Sequence, residues 1–338
     1  MESENMARSI RTVAASVAIV VSLTGCGPAQ RFLGIREAPT ANAASVPLTV
    51  DQAERILTRD FTAAQQGETT TGAAAQAALR TAYSGEGLRA ANARIKLAKI
   101  QPAVADSPVL APQRPRLLAL SRGFGFPRAI IAQTVTSENP LPILHLLTSP
   151  DAATPYRISA SATMLVASSI KPFDALTKGS PLVTDGKGLA VTASALLKAY
   201  ASGMAFPAKA VTNPPFAADP FAKQVRAKAA ATARAVSVQA SFSQVHKVVP
   251  KSSYAVLQAS GDALVFGVIE RTDSLRVKSG QAVNTSANKA FVLLSGKKRV
   301  TKKASVTWLE FVVFSVPRST GRATLVAAAE QVVAGAGS

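Results

Sequence analysis

The feature that most limits how this chain can fold is a change of apolar period that occurs twice. Behind a capping box at Thr49-Val50-Asp51-Gln52, Ala53, Ile56, Leu57, Phe61 and Ala64 recur at helical spacing. A second helical stretch covers 73–100, interrupted near Gly85 and Gly87, and Pro102, Pro108, Pro112 and Pro115 then end helical structure. Beyond them the period becomes two. Tyr156, Ile158, Ala160, Ala162 and Met164 alternate with Arg157, Ser159, Ser161 and Thr163, which is a strand with one buried and one wet face. Strands are expected at 117–124, 127–135, 143–148 and 155–166. The order then returns. A helix at 189–202 precedes one opened by Asp219-Pro220, a cap followed by proline at the first helical position. Alternating strands are expected at 236–243, 254–259, 263–270, 305–316 and 322–332, with an insertion around 274–299.

The expected class is therefore α+β. Two tandem units, 48–171 and 187–334, each place helices before a curved antiparallel sheet. They meet in "KPFDALTKGSPLVTDGK", where proline, glycine and charge gather.

The N-terminal stretch "SVAIVVSLTGC" ends at the chain's sole cysteine. Arg8 and Arg11 precede the apolar run, which is shorter than the ~20 residues a membrane-spanning helix needs. A basic region, an apolar region and small residues describe a cleaved signal peptide at 1–25. Met6 suits its start better than the acidic residues before it. Leu23-Thr24-Gly25-Cys26 resembles the lipobox of bacterial lipoproteins. The resemblance implies a diacylglyceryl group on Cys26, cleavage before it, and a mature N-terminus there. Two acyl chains anchor a protein stably where one does not. Residues 26–47, rich in proline, alanine and small polar residues, then read as a flexible tether. With this N-terminus the chain resembles an uncharacterised family of actinobacterial lipoproteins, and its helix-on-sheet plan resembles the cystatin-like and nuclear-transport-factor-like folds. Neither resemblance brings catalytic residues. The location implied is the outer face of the cell membrane.

Charge is distributed unevenly. Residues 26–185 carry 16 basic and 11 acidic residues, whereas 186–338 carry 20 and 6. A cationic body near a membrane meets anionic lipid headgroups, wall polymers or an acidic envelope protein, without specifying which. The densest cluster is Lys297, Lys298, Arg299, Lys302 and Lys303. It reads either as lysines protecting an edge strand from aggregation or as a contact for an anionic partner. Basic residues without interleaved aromatics argue against single-stranded nucleic acid, which needs stacking platforms.

Catalytic chemistry finds little support. With Cys26 consumed by lipid, no thiol remains for a disulfide, a thiolate metal site or a nucleophile. His145 and His246 fall on different expected strands, and a metal site needs three or four ligands. Gln244-Val245 before His246 suggests a bulge that would re-aim its side chain. The S-x-x-K pattern occurs at Ser168–Lys171, Ser286–Lys289 and Ser295–Lys298, but Ser286-Ala287-Asn288 and Lys278-Ser279-Gly280 stand in the wrong order for a penicillin-recognising enzyme. No nucleophile elbow, zinc-protease helix, phosphate loop or dinucleotide fingerprint is present. The expectation is a non-enzymatic module without cofactor or metal. It binds a ligand or partner in the concavity of a sheet or between units. The alternative is a structural or adaptor protein of the envelope.

Overall fold

A computed structural model describes residues 45–98, 100, 115–136, 141–184, 186–209 and 211–338. The expected signal peptide, Cys26 and most of the expected tether lie outside them. The helices begin where their caps dictate. In α1 (Val50–Thr69) the Thr49 hydroxyl accepts from the Gln52 amide while the Gln52 side chain accepts from the Thr49 amide. The expected helix at 73–100 is two, α2 (Gly72–Ala82) and α3 (Gly85–Ala98), broken at Tyr83-Ser84. Strands β1 (Arg116–Leu120), β2 (Arg128–Thr134), β3 (Ile143–Ser149), β4 (Arg157–Met164) and β5 (Leu182–Val183) follow. Then come α4 (Ala193–Gly203) and α5 (Pro220–Val236), the latter capped by Asp219 on the Ala222 amide at 2.8 Å.

The rest of the chain is β6 (Ala240–Val248), β7 (Tyr254–Leu257), β8 (Ala263–Val277), β9 (Val283–Asn284), α6 (Lys289–Ser295), β10 (Arg299–Val300), β11 (Lys303–Val316) and β12 (Thr324–Gly337). The alternation at 236–243 starts too early as a strand. Helix α5 runs through Val236, and the strand begins at Ala240.

Helices and a large antiparallel sheet are both present, but the two halves are not packed separately. Residues 42–338 form one compact unit. Ten strands make a single sheet in the order β1-β2-β3-β4-β12-β11-β8-β7-β5, with β6 also on β8. β4 joins the halves by pairing with β12, Met164 opposite Ala327. At the other end the path returns to its start. Ser180 donates to the Leu120 carbonyl and accepts from the Arg122 amide, both at 2.8 Å, while Leu257 donates to the Pro181 carbonyl. Segment 180–183 thus lies between β1 and β7, and the sheet closes into a ring. The stretch expected to be a linker is this seam. The reason is apolar burial: Phe173 packs on the ring interior, Leu176 on the helical layer beside it, and Ser180 is buried. The expected tether also ends early, because Ser45 accepts from the Gly123 amide and Val46 and Leu48 pack on the body.

Alternation assigns the two faces. Inside the ring, Ile131, Leu144, Leu146, Met164, Phe266 and Phe311 share one core with several alanines. Outside it, α1–α3 cover β1–β4 through Leu57, Phe61, Leu79, Ile130 and Ile158. Helix α4 and the start of α5 cover the opposite wall through Leu197, Tyr200, Val265 and Phe314. Helix α3 reaches the ring itself, with Ala90 in its core. A Cβ on Gly87 would stand 2.6 Å from the Ile158 carbonyl oxygen, so only glycine allows this approach.

Strands β8, β11 and β12 are 14–15 residues long and outrun the ring. Their far halves join β6 in a four-stranded arm. β7 takes the β8 edge at 263–266, and β6 takes it at 269–277. Helix α6 and the β9–β10 pair cap the arm within the expected insertion. Gly335 gives α6 room, since a Cβ there would meet Leu294 Cβ at 3.2 Å.

Candidate functional site

On the helix-covered side of the arm, between α5, α6 and the sheet, is a cavity of about 700 Å³. Regular alternation builds its sheet wall. Phe242 and Gln244 on β6, Arg271, Asp273 and Leu275 on β8, and Val306 and Trp308 on β11 all point the same way. Val225 and Ala229 of α5, Phe291 of α6 and Leu97 at the end of α3 complete the apolar lining.

A charged network stands in this wall. Arg271 lies between His246 on one neighbouring strand and Trp308 on the other, and Glu310 lies directly opposite Glu330. Two facing glutamates repel, and Arg271 resolves the conflict. Its guanidinium donates to Glu310 at 2.9 Å and to Glu330 at 2.8 Å, and Nε lies 3.3 Å from Asp273. The same group sits 4.4 Å above the Trp308 ring. Gln244 donates to Asp273 at 2.7 Å, Lys228 at the rim donates to Glu330 at 2.9 Å, and His246 Nε2 is 3.3 Å from Glu310.

Environment sets the charges. Burial disfavours the Arg271 cation, but Asp273, Glu310 and Glu330 outweigh it, so its pKa is raised. Burial raises the Asp273 carboxyl despite Arg271 and Gln244. Burial would raise Glu330 too, but Arg271 and Lys228 prevail and hold it below its ordinary value.

The residues singled out from sequence fall in three places. Cys26 and Leu23, Thr24 and Gly25 lie outside the described residues. His246 is buried against Glu310 in this network, and it arrives there by plain alternation. β6 pairs with β8 from Ala240 to Val248 without a break in register, so the expected bulge is absent. His145 is elsewhere, enclosed between the hydroxyls of Thr134 and Ser161, each at 2.8 Å, and edge-on to Phe61.

Lys297, Lys298, Arg299, Lys302 and Lys303 are exposed around β10 and the start of β11, and none of them lines the cavity. Edge protection does not account for them. Only Arg299 is on an edge strand, while Lys303 opens β11, which is paired on both sides. The S-x-x-K serines spend their hydroxyls on backbone carbonyls: Ser168 on Leu165 and Val326, Ser286 on Lys298, Ser295 on Phe291. Lys171 pairs with Asp262.

Sequence reasoning missed Arg271, Asp273, Trp308, Glu310 and Glu330. A signal was available: Glu310 interrupts the apolar run "TWLEFVVF", and a lone charge there needs a buried partner. Among the described residues no group of three or more His, Cys, Asp or Glu is placed to hold a metal ion, and no helix is long and apolar enough to cross a membrane. Comparison with protein-family models, with curated proteins and with solved structures found no significant match to this chain.

Proposed function

We propose that the chain is a membrane-anchored extracytoplasmic lipoprotein and that its body is a non-enzymatic binding module for a small ligand. Residues 1–25 are its signal peptide, Cys26 its acylated N-terminus, and the residues up to 44 its tether. The observation that carries the binding reading is the cavity. About 700 Å³ falls within the roughly 300–1,000 Å³ of small-molecule sites, which join apolar walls to a few placed polar groups. The anchor reading rests on Leu23-Thr24-Gly25-Cys26. Native mass spectrometry of the chain purified from its own membranes tests both. The expected species starts at acylated Cys26 and carries one non-covalent adduct of small-molecule mass. An N-terminus at Met1 or Met6 removes the anchor, and a bare polypeptide mass removes the ligand.

A second reading, an envelope adaptor, is favoured by the far end of the arm. Residues 274–309 contain no Asp or Glu but include Arg276, Lys278, Lys289 and the five-residue cluster. Among the described residues none of the five makes an ion pair with a carboxylate side chain. A cleft of about 380 Å³ beside Asn284, Ser286, Lys298 and Arg299 lies in this surface. Each basic residue near an anionic membrane contributes about 1 kcal/mol. The chain without lipid is expected to bind phosphatidylglycerol vesicles at low salt and to release them at high salt. Reversing Lys298 and Lys302 to Glu should weaken co-sedimentation more than reversing Lys178 and Lys187. Equal losses would leave only a diffuse field.

A further inference from the structure

We infer that the cavity takes an organic cation with an apolar body, an alkyl- or arylammonium. This rests on the reading of the cavity as a ligand site.

Three observations lead there. The first is charge. After residue 185 the chain has 20 basic and only 6 acidic residues, yet Asp273, Glu310 and Glu330 all gather around Arg271. Three carboxylates face one buried cation. The further cation, Lys228, belongs to the rim, where its side chain is 55% exposed. An incoming ammonium can replace Lys228 on Glu330 while Lys228 turns to water, so the exchange strands no charge.

The second observation is Gln244, which is 3% exposed and lines the cavity. An amide can be placed either way round, but here Asp273 decides. Beside a carboxylate only the NH₂ end is acceptable, and it donates at 2.7 Å. The end left over is therefore an acceptor, and Oε1 has no hydrogen-bond partner among the described residues. Oε1 is sealed beneath the cavity surface, so a donating ligand reaches it once the Gln244 side chain shifts. An anion would instead meet Glu330 and Asp273, with Trp308 Nε1, unpartnered among the described residues, as a donor in the same wall.

The third is the remaining wall. Phe242, Leu275, Phe291 and Val306 give an apolar body its place beside these groups. Trp308 belongs to the same wall and is the chain's one tryptophan.

That single tryptophan makes the test local. The full chain carrying Cys26→Ser is titrated with octylammonium and octyl sulfate below their micellar concentrations and with octanol below its solubility limit, and Trp308 emission is followed. The expected result is a saturable change with octylammonium at a concentration about tenfold below that needed for octanol, and none with octyl sulfate. Glu330→Gln should raise the octylammonium midpoint about tenfold, and Asp273→Asn serves if that variant does not fold. An equal response to octylammonium and octanol, or a stronger one to octyl sulfate, upholds the cavity and overturns the cation. No response to any of the three overturns the ligand site and the cation together.

Discussion

Arg271→Met is expected to destabilise the fold by about 3–5 kcal/mol, the cost of removing one partner from a buried ion pair. The arginine side chain is 4% exposed and Glu310 is fully buried, facing Glu330 directly across the sheet. Methionine fills similar volume, so the loss is electrostatic rather than steric. Glu310 then keeps only His246 at 3.3 Å, and Glu330 keeps Lys228 at the rim. Urea denaturation followed by circular dichroism measures the effect. The companion variant is Arg271→Met with Glu310→Gln, which removes both buried charges. It should recover most of the loss, because neutral replacement of a buried pair is often tolerated. A single variant within 1 kcal/mol of the parent would show that the network is solvated and that its arginine does not hold the arm together.

The second large effect is a pair of opposed titrations under the first helical layer. Burial, and then the charge of Arg94, pushes His145 down to about 3. Its folded pKa is thus below the ordinary value near 6.5. As the pH falls through 6.5 the unfolded chain gains a proton that the folded chain refuses, so this contribution is complete above about 6.5 and falls towards pH 3. Asp60 behaves in the opposite sense. Its side chain is fully buried, and burial lifts it to about 7 against the hydrogen bond and charge of Arg59 and the charge of Arg157. The folded chain holds that proton where the unfolded one releases it near 3.8. Its contribution is complete below 3.8 and falls as the pH rises towards 7.

Each group changes stability by about 1.4 kcal/mol per pH unit, with opposite sign, between 3.8 and 6.5. Together they nearly cancel. Asp60→Asn should uncover the histidine, so that the variant loses about 3 kcal/mol more than the parent between pH 6.5 and 4. Urea midpoints at four pH values give this difference, and other carboxylates drop out of it. Parallel curves for parent and variant would mean that Asp60 is ionised throughout.

Much of the secondary structure was legible because it is local. The Thr49 and Asp219 caps and the alternation from Tyr156 to Met164 each act over a few residues, and each marks an element. At Val236 two periods overlap, and the helix outlasts the strand pattern. Closure of the sheet was not legible. The seam at 180–183 is too short to show a period, and it contains a proline. The pairing of β4 with β12 joins positions more than 160 residues apart. The site divides in the same way. Exposed lysines announce themselves by composition, whereas the company of Arg271 depends on cross-strand register, which an isolated strand does not carry. The absence of a bulge at His246 is such a fact of register.

The ring also imposes an order of events. β12 lies between β4 and β11 and is the last of the described strands in chain order. Until it arrives, β4 and β11 are both bare sheet edges, and bare edges recruit other chains. During synthesis the N-terminal wall is therefore complete but unclosed while more than half of the chain is still to come. Any factor that shields nascent chains has the β4 edge, residues 157–164, to guard for that whole interval. A stop after Val316 would make the interval permanent.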